Sequence, residues 1–206
     1  MSGPETRPQA VVFDLGEVLA TPPDLYGALA DRAEHNPTSV SNAYWAHRDA
    51  YDRGGDSQQF WSGVLADLGI SPTTALVTDL TRIDTEAWTT IRPDAEDLLA
   101  RLHRARVRIG ILSNATVDMA ASAPATAWGK YVQDWFFSGL LQIAKPDPKI
   151  YHYVTRALGL PASAIVFIDD RQVNVDAAIQ AGWNAHLWTS GPDTASLIED
   201  LGLLPS

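Results

Sequence analysis

An α/β fold is what this sequence predicts: a Rossmann-like, doubly wound parallel sheet with a small helical segment inserted after its first strand. Three observations predict it. From residue 92 onward, short apolar runs alternate with helix-length amphipathic stretches, the pattern of a mostly parallel sheet covered on both faces. Residues 21–88 carry helical patches and no strand-like run, which marks an insertion. Three of the apolar runs end in polar side chains, at Asp14, Ser113-Asn114 and Asp169-Asp170, and a parallel sheet brings such ends to one edge, where open α/β sheets bind their ligands.

The first strand is Val11-Val12-Phe13, running into Asp14 and then, after Leu15, into Gly16, Glu17 and a second apolar run, Val18-Leu19. Thr21-Pro22-Pro23-Asp24 breaks the pattern, and four helical patches follow over 24–34, 40–51, 58–68 and 74–88. Turn signals at Asn36-Pro37, Gly54-Gly55 and Gly69-Ile70-Ser71-Pro72 separate them. A helix over 93–104 starts on Pro93 and places Leu98, Leu99 and Leu102 on one face. Then come strands over 107–112, 135–138, 164–168 and 185–188, with helices over 148–158, 173–181 and 194–201. The division that follows is a core of 1–20 and 89–206 and a helical cap of 21–88. Neither an internal repeat nor a low-complexity tail accompanies it beyond the polar first eight residues.

Composition narrows the classes of function. The 206 residues contain no cysteine, which removes disulfides, thiolate metal sites and a cysteine nucleophile together. A formal net charge of −10 argues against nucleic acid as a partner, though one lysine, a metal ion and a helix N-terminus can still hold a small phosphorylated substrate. No run of about eighteen apolar residues and no signal-like h-region is present, so no membrane association and a cytoplasmic location are expected. Seven tryptophans are many for this length; Tyr44, Trp45, Phe60 and Trp61 read first as helix packing.

The specific signal lies in four segments: Phe-Asp-Leu-Gly-Glu-Val-Leu at 13–19, Ile-Leu-Ser-Asn at 111–114, Lys-Pro-Asp-Pro-Lys-Ile-Tyr at 145–151 and Val-Phe-Ile-Asp-Asp at 166–170. In order and in kind they resemble the four motifs of the haloacid dehalogenase superfamily, with a helical segment where that superfamily carries its cap. All four also look like those of bacterial α-D-glucose-1-phosphate phosphatases. The resemblance implies that Asp14 is a nucleophile forming an aspartyl-phosphate, that Ser113 donates its hydroxyl and Asn114 its backbone N–H to the phosphoryl group, and that Lys145 neutralises charge between Asp14 and the phosphate. It further implies a Mg²⁺ held by Asp14, the carbonyl of Gly16, Asp170 and, through water, Asp169. Asn174 reads either as a support for that loop or as a surface helix residue.

Gly16 is the departure. Most phosphatases of the superfamily place a second Asp there as general acid and base, help typically worth about 10²–10⁴ in rate. Glu17 next door is expected to point elsewhere unless the backbone turns. A cap residue could supply the proton, with His47, Asp49 and Asp52 as candidates; the leaving group could need little help, as in an acyl phosphate or sugar 1-phosphate; or turnover could be poor. The leading expectation is a Mg²⁺-dependent phosphatase. Its alternatives are a metal-independent 2-haloacid dehalogenase, against which Asp169-Asp170 argues, and a non-catalytic phosphate-binding module.

Overall fold

The structure, a computed structural model, describes residues 7–204, so the first six residues of the polar N-terminal stretch lie outside the described residues. Strand β1 (Ala10–Phe13) is followed by four helices, α1 (Leu25–Ala33), α2 (Pro37–Asp52), α3 (Ser57–Asp67) and α4 (Thr74–Thr89), and then by α5 (Pro93–Arg104) and β2 (Arg108–Ser113). The chain continues through α6 (Val117–Ser122), β3 (Asp134–Phe137), α7 (Ser138–Leu141), α8 (Pro148–Leu158), β4 (Ile165–Asp169), α9 (Gln172–Gln180), β5 (Asn184–Leu187) and α10 (Gly191–Asp200). Every strand pair is parallel, in the order β3-β2-β1-β4-β5. That is the doubly wound sheet expected.

Alternation along β1 explains why the sheet is covered on both faces. Val11 and Phe13 join a core that includes Leu98, Leu99 and Leu102 of α5 and Ile198 of α10, whereas Val12 joins one built with Ile150, Tyr151 and Val154 of α8 and Ala178 of α9. All three strand residues are fully buried. The apolar run is continuous because each face of the strand meets a helix layer.

Local chemistry sets the helix limits. The Asn36 side chain accepts from the N–H groups of Thr38 and Ser39, with Pro37 at the first position of α2; Asp56 and Thr73 cap α3 and α4 in the same way. Acidic Asp94 and Glu96 open α5, and Arg101, His103 and Arg104 close it, the sense that complements the helix dipole. Gly159, at φ 66°, ends α8 in the left-handed region that a side chain resists.

Two details depart from the sequence expectation. The third strand stops at Phe137 rather than at residue 138, because Ser138 starts α7: its hydroxyl accepts from the Ala115 N–H at 2.9 Å and donates to the Asp52 carbonyl. The short helices α6 and α7 have no periodic signal, being a turn or so long. The Ser138 bond also ties the end of α2 to the sheet layer, as does the Tyr51 hydroxyl, which donates to Asp118 at 2.8 Å. These contacts hold α2 over the carboxyl ends of the strands. Among the described residues no helix is long and apolar enough to cross a membrane.

Candidate active site

The order of the sheet makes β1 and β4 neighbours across the point where the winding reverses. Connections from β1 lead outward to β2 and β3, and the chain then returns to lay β4 on the other side of β1. Asp14 directly follows β1, with its N–H bonded to the Ile168 carbonyl, and Asp169 ends β4. The carboxyl edge there opens into a cavity of about 320 Å³ whose sheet side is formed by Asp14, Ser113, Asn114, Lys145 and Asp170.

Lys145 is the hub. Its Nζ lies 3.0 Å from Asp14 Oδ1 and 2.6 Å from Asp169 Oδ2, and the residue is 2% exposed. Its backbone is clamped by Asn114, whose Oδ1 accepts from the Lys145 N–H at 2.8 Å while its Nδ2 donates to the Lys145 carbonyl at 2.9 Å. The Asn114 side chain therefore positions the lysine, a role the motif reading did not assign to it. Burial alone would depress the Lys145 ammonium, but Asp14 and Asp169 outweigh it and hold the pKa above its ordinary value.

Asp14 is also buried, and its Oδ1 accepts from the Leu15 N–H at 2.7 Å. Its pKa is raised to about 6, first by burial and then by Asp169, against the lowering effects of Lys145 and Ser113. The Asp170 carboxyl is raised by burial and by Asp169. Asp169 is fully buried and both its oxygens are engaged: Oδ2 by Lys145, Oδ1 by the Arg171 N–H at 2.9 Å and by Asn174 Nδ2 at 2.8 Å. Of the two readings of Asn174, the supporting one holds.

The donor set suits a hard divalent cation. Asp14, Asp169 and Asp170 can bring one oxygen each within 4.8 Å of one another, and three carboxylates beside one ammonium leave an excess of two negative charges. Gly16 lines the same cavity. A Cβ at Gly16 would stand 3.4 Å from the Trp88 ring, an ordinary contact distance, so a small acidic side chain there would meet that ring.

Glu17 does reach the cavity, because the backbone turns. It sits at φ 58°, its N–H bonds the Ala20 carbonyl at 2.8 Å, and its carboxyl is raised by burial and by Asp170. Of the proposed proton donors, Asp49 and Asp52 line the cavity and His47 does not. His47 Nε2 instead lies 2.8 Å from Asp67 on α3, since α2 turns that face toward its helical neighbour.

Sequence reasoning missed Arg48 and Trp88 and misplaced Trp45. Tyr44, Phe60 and Trp61 are packing residues as expected, all buried in one aromatic cluster, but Trp45 is 53% exposed and lines the cavity. A signal for Arg48 existed. Val40, Tyr44, Arg48 and Tyr51 form the buried stripe of α2, and an arginine on an apolar stripe calls for a partner. Its partners are Asp52, 2.7 Å from Nε, and Asp84, 3.6 Å from Nη1.

Burial pushes Asp52 and Asp84 each up to about 6, with Arg48 opposing. A carboxyl raised in the folded state binds its proton more tightly there than in the unfolded chain. Its stabilising effect is thus fully present below the ordinary value of 3.8 and lost as pH rises through about 6. With EDTA present, thermal unfolding should come several degrees higher at about pH 5 than at about pH 7.5, each group contributing roughly 1 kcal/mol. A melting temperature that is flat or rises over that interval would contradict the assignment.

Fold and site together define a doubly wound α/β protein with three carboxylates and a lysine gathered at the switch point of the sheet. Residues 8–182 match the family described as haloacid dehalogenase-like hydrolase, and the chain belongs to that family. A relative called a phosphatase, from Mycobacterium tuberculosis, is 30% identical over 129 residues, which span 61% of this chain and 59% of that protein. A haloacid dehalogenase family enzyme from Bacteroides thetaiotaomicron, solved as an aspartate-to-alanine mutant with magnesium and inorganic phosphate, superposes with a TM-score of 0.74 at 19% identity, covering 92% of this chain and 98% of that one. The L-2-haloacid dehalogenase of Xanthobacter autotrophicus, with chloropropionic acid covalently bound, gives 0.73 at 21% identity over 96% and 85%. The likeness to these two structures is one of fold.

Proposed function

We propose that the protein is a Mg²⁺-dependent phosphatase that hydrolyses a small phosphorylated metabolite, such as a sugar phosphate, through an aspartyl-phosphate. The observation that carries this reading is the convergence of Asp14, Asp169, Asp170 and Lys145 on one edge of the sheet, with an excess of negative charge equal to that of the cation. A dehalogenase displacing halide at carbon has no use for that excess, and the phosphatase relative adds support.

In this reading an Asp14 carboxylate oxygen attacks phosphorus, the ester P–O bond breaks, and the leaving alkoxide takes a proton from a cavity carboxyl or from water. Water then cleaves the acyl phosphate, returning the Asp14 carboxylate and releasing inorganic phosphate. Lys145 holds Asp14 oriented and offsets charge at the phosphoryl oxygens, with Ser113 and the Asn114 N–H as further donors. Asp14, Asp170 and the Gly16 carbonyl are the residues that would hold the metal, and Asp169 orients Lys145 from behind. Bound there, Mg²⁺ supplies charge stabilisation to the transferring phosphoryl group. Helices α1–α4, over 21–88, serve as the cap that excludes water and selects the substrate.

The test is a panel of p-nitrophenyl phosphate and sugar phosphates assayed with Mg²⁺ and with EDTA. Hydrolysis that needs the metal is the expected result. Turnover of 2-chloropropionate without metal, and none of any phosphate ester, would replace this reading with the dehalogenase one.

A further inference from the structure

Arg92 stands where the chain returns from helices α1–α4 to the sheet layer, directly before α5, yet its side chain makes no capping bond to that helix. It grips the turn after β1 instead. Nη2 donates to the Val18 carbonyl at 2.8 Å and Nη1 to the Thr21 hydroxyl at 3.1 Å, while the backbone N–H donates to the Leu19 carbonyl at 2.9 Å. Nε meets the Asp94 carboxylate at 3.1 Å. The guanidinium carbon lies 5.1 Å from the centre of the Trp188 ring, and the backbone N–H of Trp188 donates to the Asp169 carbonyl at 2.8 Å. One residue thus touches both the turn that carries Gly16 and the neighbour that holds the backbone of Asp169.

That turn needs holding. Glu17 sits at φ 58°, in the left-handed region that a side chain resists, and such a conformation persists only where its surroundings over-determine it. The Leu15 carbonyl accepts from the N–H groups of Leu19 and Ala20 at 2.9 and 2.8 Å, and the Glu17 N–H donates to the Ala20 carbonyl at 2.8 Å. In a trans peptide the carbonyl points opposite to the N–H, so the bond to Ala20 also sets where the Gly16 carbonyl is aimed. Arg92 takes hold of Val18 and Leu19, the two residues between Glu17 and Ala20.

We propose that Arg92 is a positioning residue for the divalent cation: by fixing Val18 and Leu19 it keeps the Gly16 carbonyl aimed as a metal ligand, from a place outside all four sequence motifs. The proposal rests on the Mg²⁺-dependent phosphatase reading and adds to it a residue at the return from the cap. Arg92 acts through the backbone of the turn, without touching substrate or metal. An arginine suits the task because its planar fork serves Val18 and Thr21 from two nitrogens at a fixed spacing.

The experiment follows the melting temperature of the EDTA-treated protein as Mg²⁺ is added, since an ion that binds only the folded chain raises it. Arg92→Met keeps an unbranched stem beside Trp188 and the backbone bond to Leu19, but removes the donors to Val18, Thr21 and Asp94. Its apparent Mg²⁺ dissociation constant should rise about 10–100-fold over the wild type, the range typical for removing a residue that orients a metal ligand. With p-nitrophenyl phosphate as substrate, the Mg²⁺ needed for half the maximal rate should rise in step, and the rate should largely return at saturating Mg²⁺. Thr21→Val, which takes away only the partner of Nη1, should leave the dissociation constant unchanged.

A merely structural Arg92 would lower the melting temperature equally with and without Mg²⁺ and leave the dissociation constant where it was, and that result overturns the proposal. So does a Thr21→Val protein as weak for Mg²⁺ as Arg92→Met, because the tie to the first cap connection, rather than the grip on Val18, would then be what matters. If Arg92→Met fails to fold, Arg92→Lys decides: one ammonium does not replace the fork, so a raised constant supports the proposal and an unchanged one overturns it. If the wild type neither gains stability from Mg²⁺ nor needs it to hydrolyse any phosphate ester, the metal-dependent reading itself has failed and this proposal falls with it.

Discussion

Asp14→Asn is expected to reduce phosphate ester hydrolysis by at least about 10³-fold while raising the melting temperature, because the same carboxylate is the proposed nucleophile and a poorly accommodated buried charge. The amide is close to isosteric and can still accept the Leu15 N–H through its oxygen, but an amide oxygen does not form the acyl phosphate. The stability half of the prediction follows from the charge balance. Two carboxylates, Asp14 and Asp169, share the Lys145 ammonium, and the pKa of Asp14 is raised to about 6 by burial and by Asp169. At about pH 7.5 without metal, neutralising one of them removes a repulsion and leaves the Lys145–Asp169 pair intact. Steady-state kinetics with Mg²⁺ and calorimetry in EDTA check the two halves separately. Undiminished turnover in Asp14→Asn would end the nucleophile assignment, whereas a drop in both activity and stability would mean that Asp14 serves chiefly to hold the loop after β1.

Lys145→Met should do the opposite to stability. It removes contacts of 3.0 Å to Asp14 and 2.6 Å to Asp169 and leaves both buried acids without their cation. Breaking a buried pair from one side costs about 3–5 kcal/mol. Activity should fall as well, by about 10²–10³, the range typical for removing a positioned donor from a developing charge. Two conditions should soften the stability loss: added Mg²⁺, which would supply positive charge to the same carboxylates, and a fall in pH through about 6, where Asp14 gains its proton. Urea unfolding at about pH 5 and pH 7.5, with and without Mg²⁺, distinguishes this from simple loss of packing. Lost packing against Phe167, whose ring centre lies 5.5 Å from Nζ, would be insensitive to both.

The contrast between these two substitutions shows what kind of information a sequence holds about such a site. Asp14, Ser113 and Asp169 could be assigned to one edge because each stands at the end of an apolar run, and parallel pairing sends the ends of all strands the same way. Lys145 could be added by resemblance. What it would touch could not: its reach to both acids depends on Asn114 gripping its backbone from the end of another strand, 31 positions away in the chain. Asp169 and Asp170 likewise read as metal ligands, Asp170 directly and Asp169 through water. Their difference arises from side-chain direction, since Asp169 turns inward to Lys145 and Asn174 while Asp170 remains partly exposed in the cavity.

The helical segment was legible in outline and not in use. Its caps and breakers set four helices to within a few residues, because those signals act through hydrogen bonds two or three positions away. His47, Asp49 and Asp52 could not be ranked that way. Over six residues of α2 the helix turns from the α3 side, where His47 meets Asp67, to the cavity side, where Asp52 holds Arg48.

By itself, then, the sequence determined the α/β class, the order of the strands and longer helices and the set of polar strand ends, all of which follow from short-range periodicity and from the directionality of a parallel sheet. Only the tertiary structure decided that Glu17 turns into the cavity, that His47 leaves it, that Asp169 is held behind Lys145, and that Arg48 enters the wall between Asp52 and Asp84. Each of these depends on where a side chain points once segments distant in the chain have packed, and burial, not spacing, sets the charge and hydrogen-bond balance at such a point.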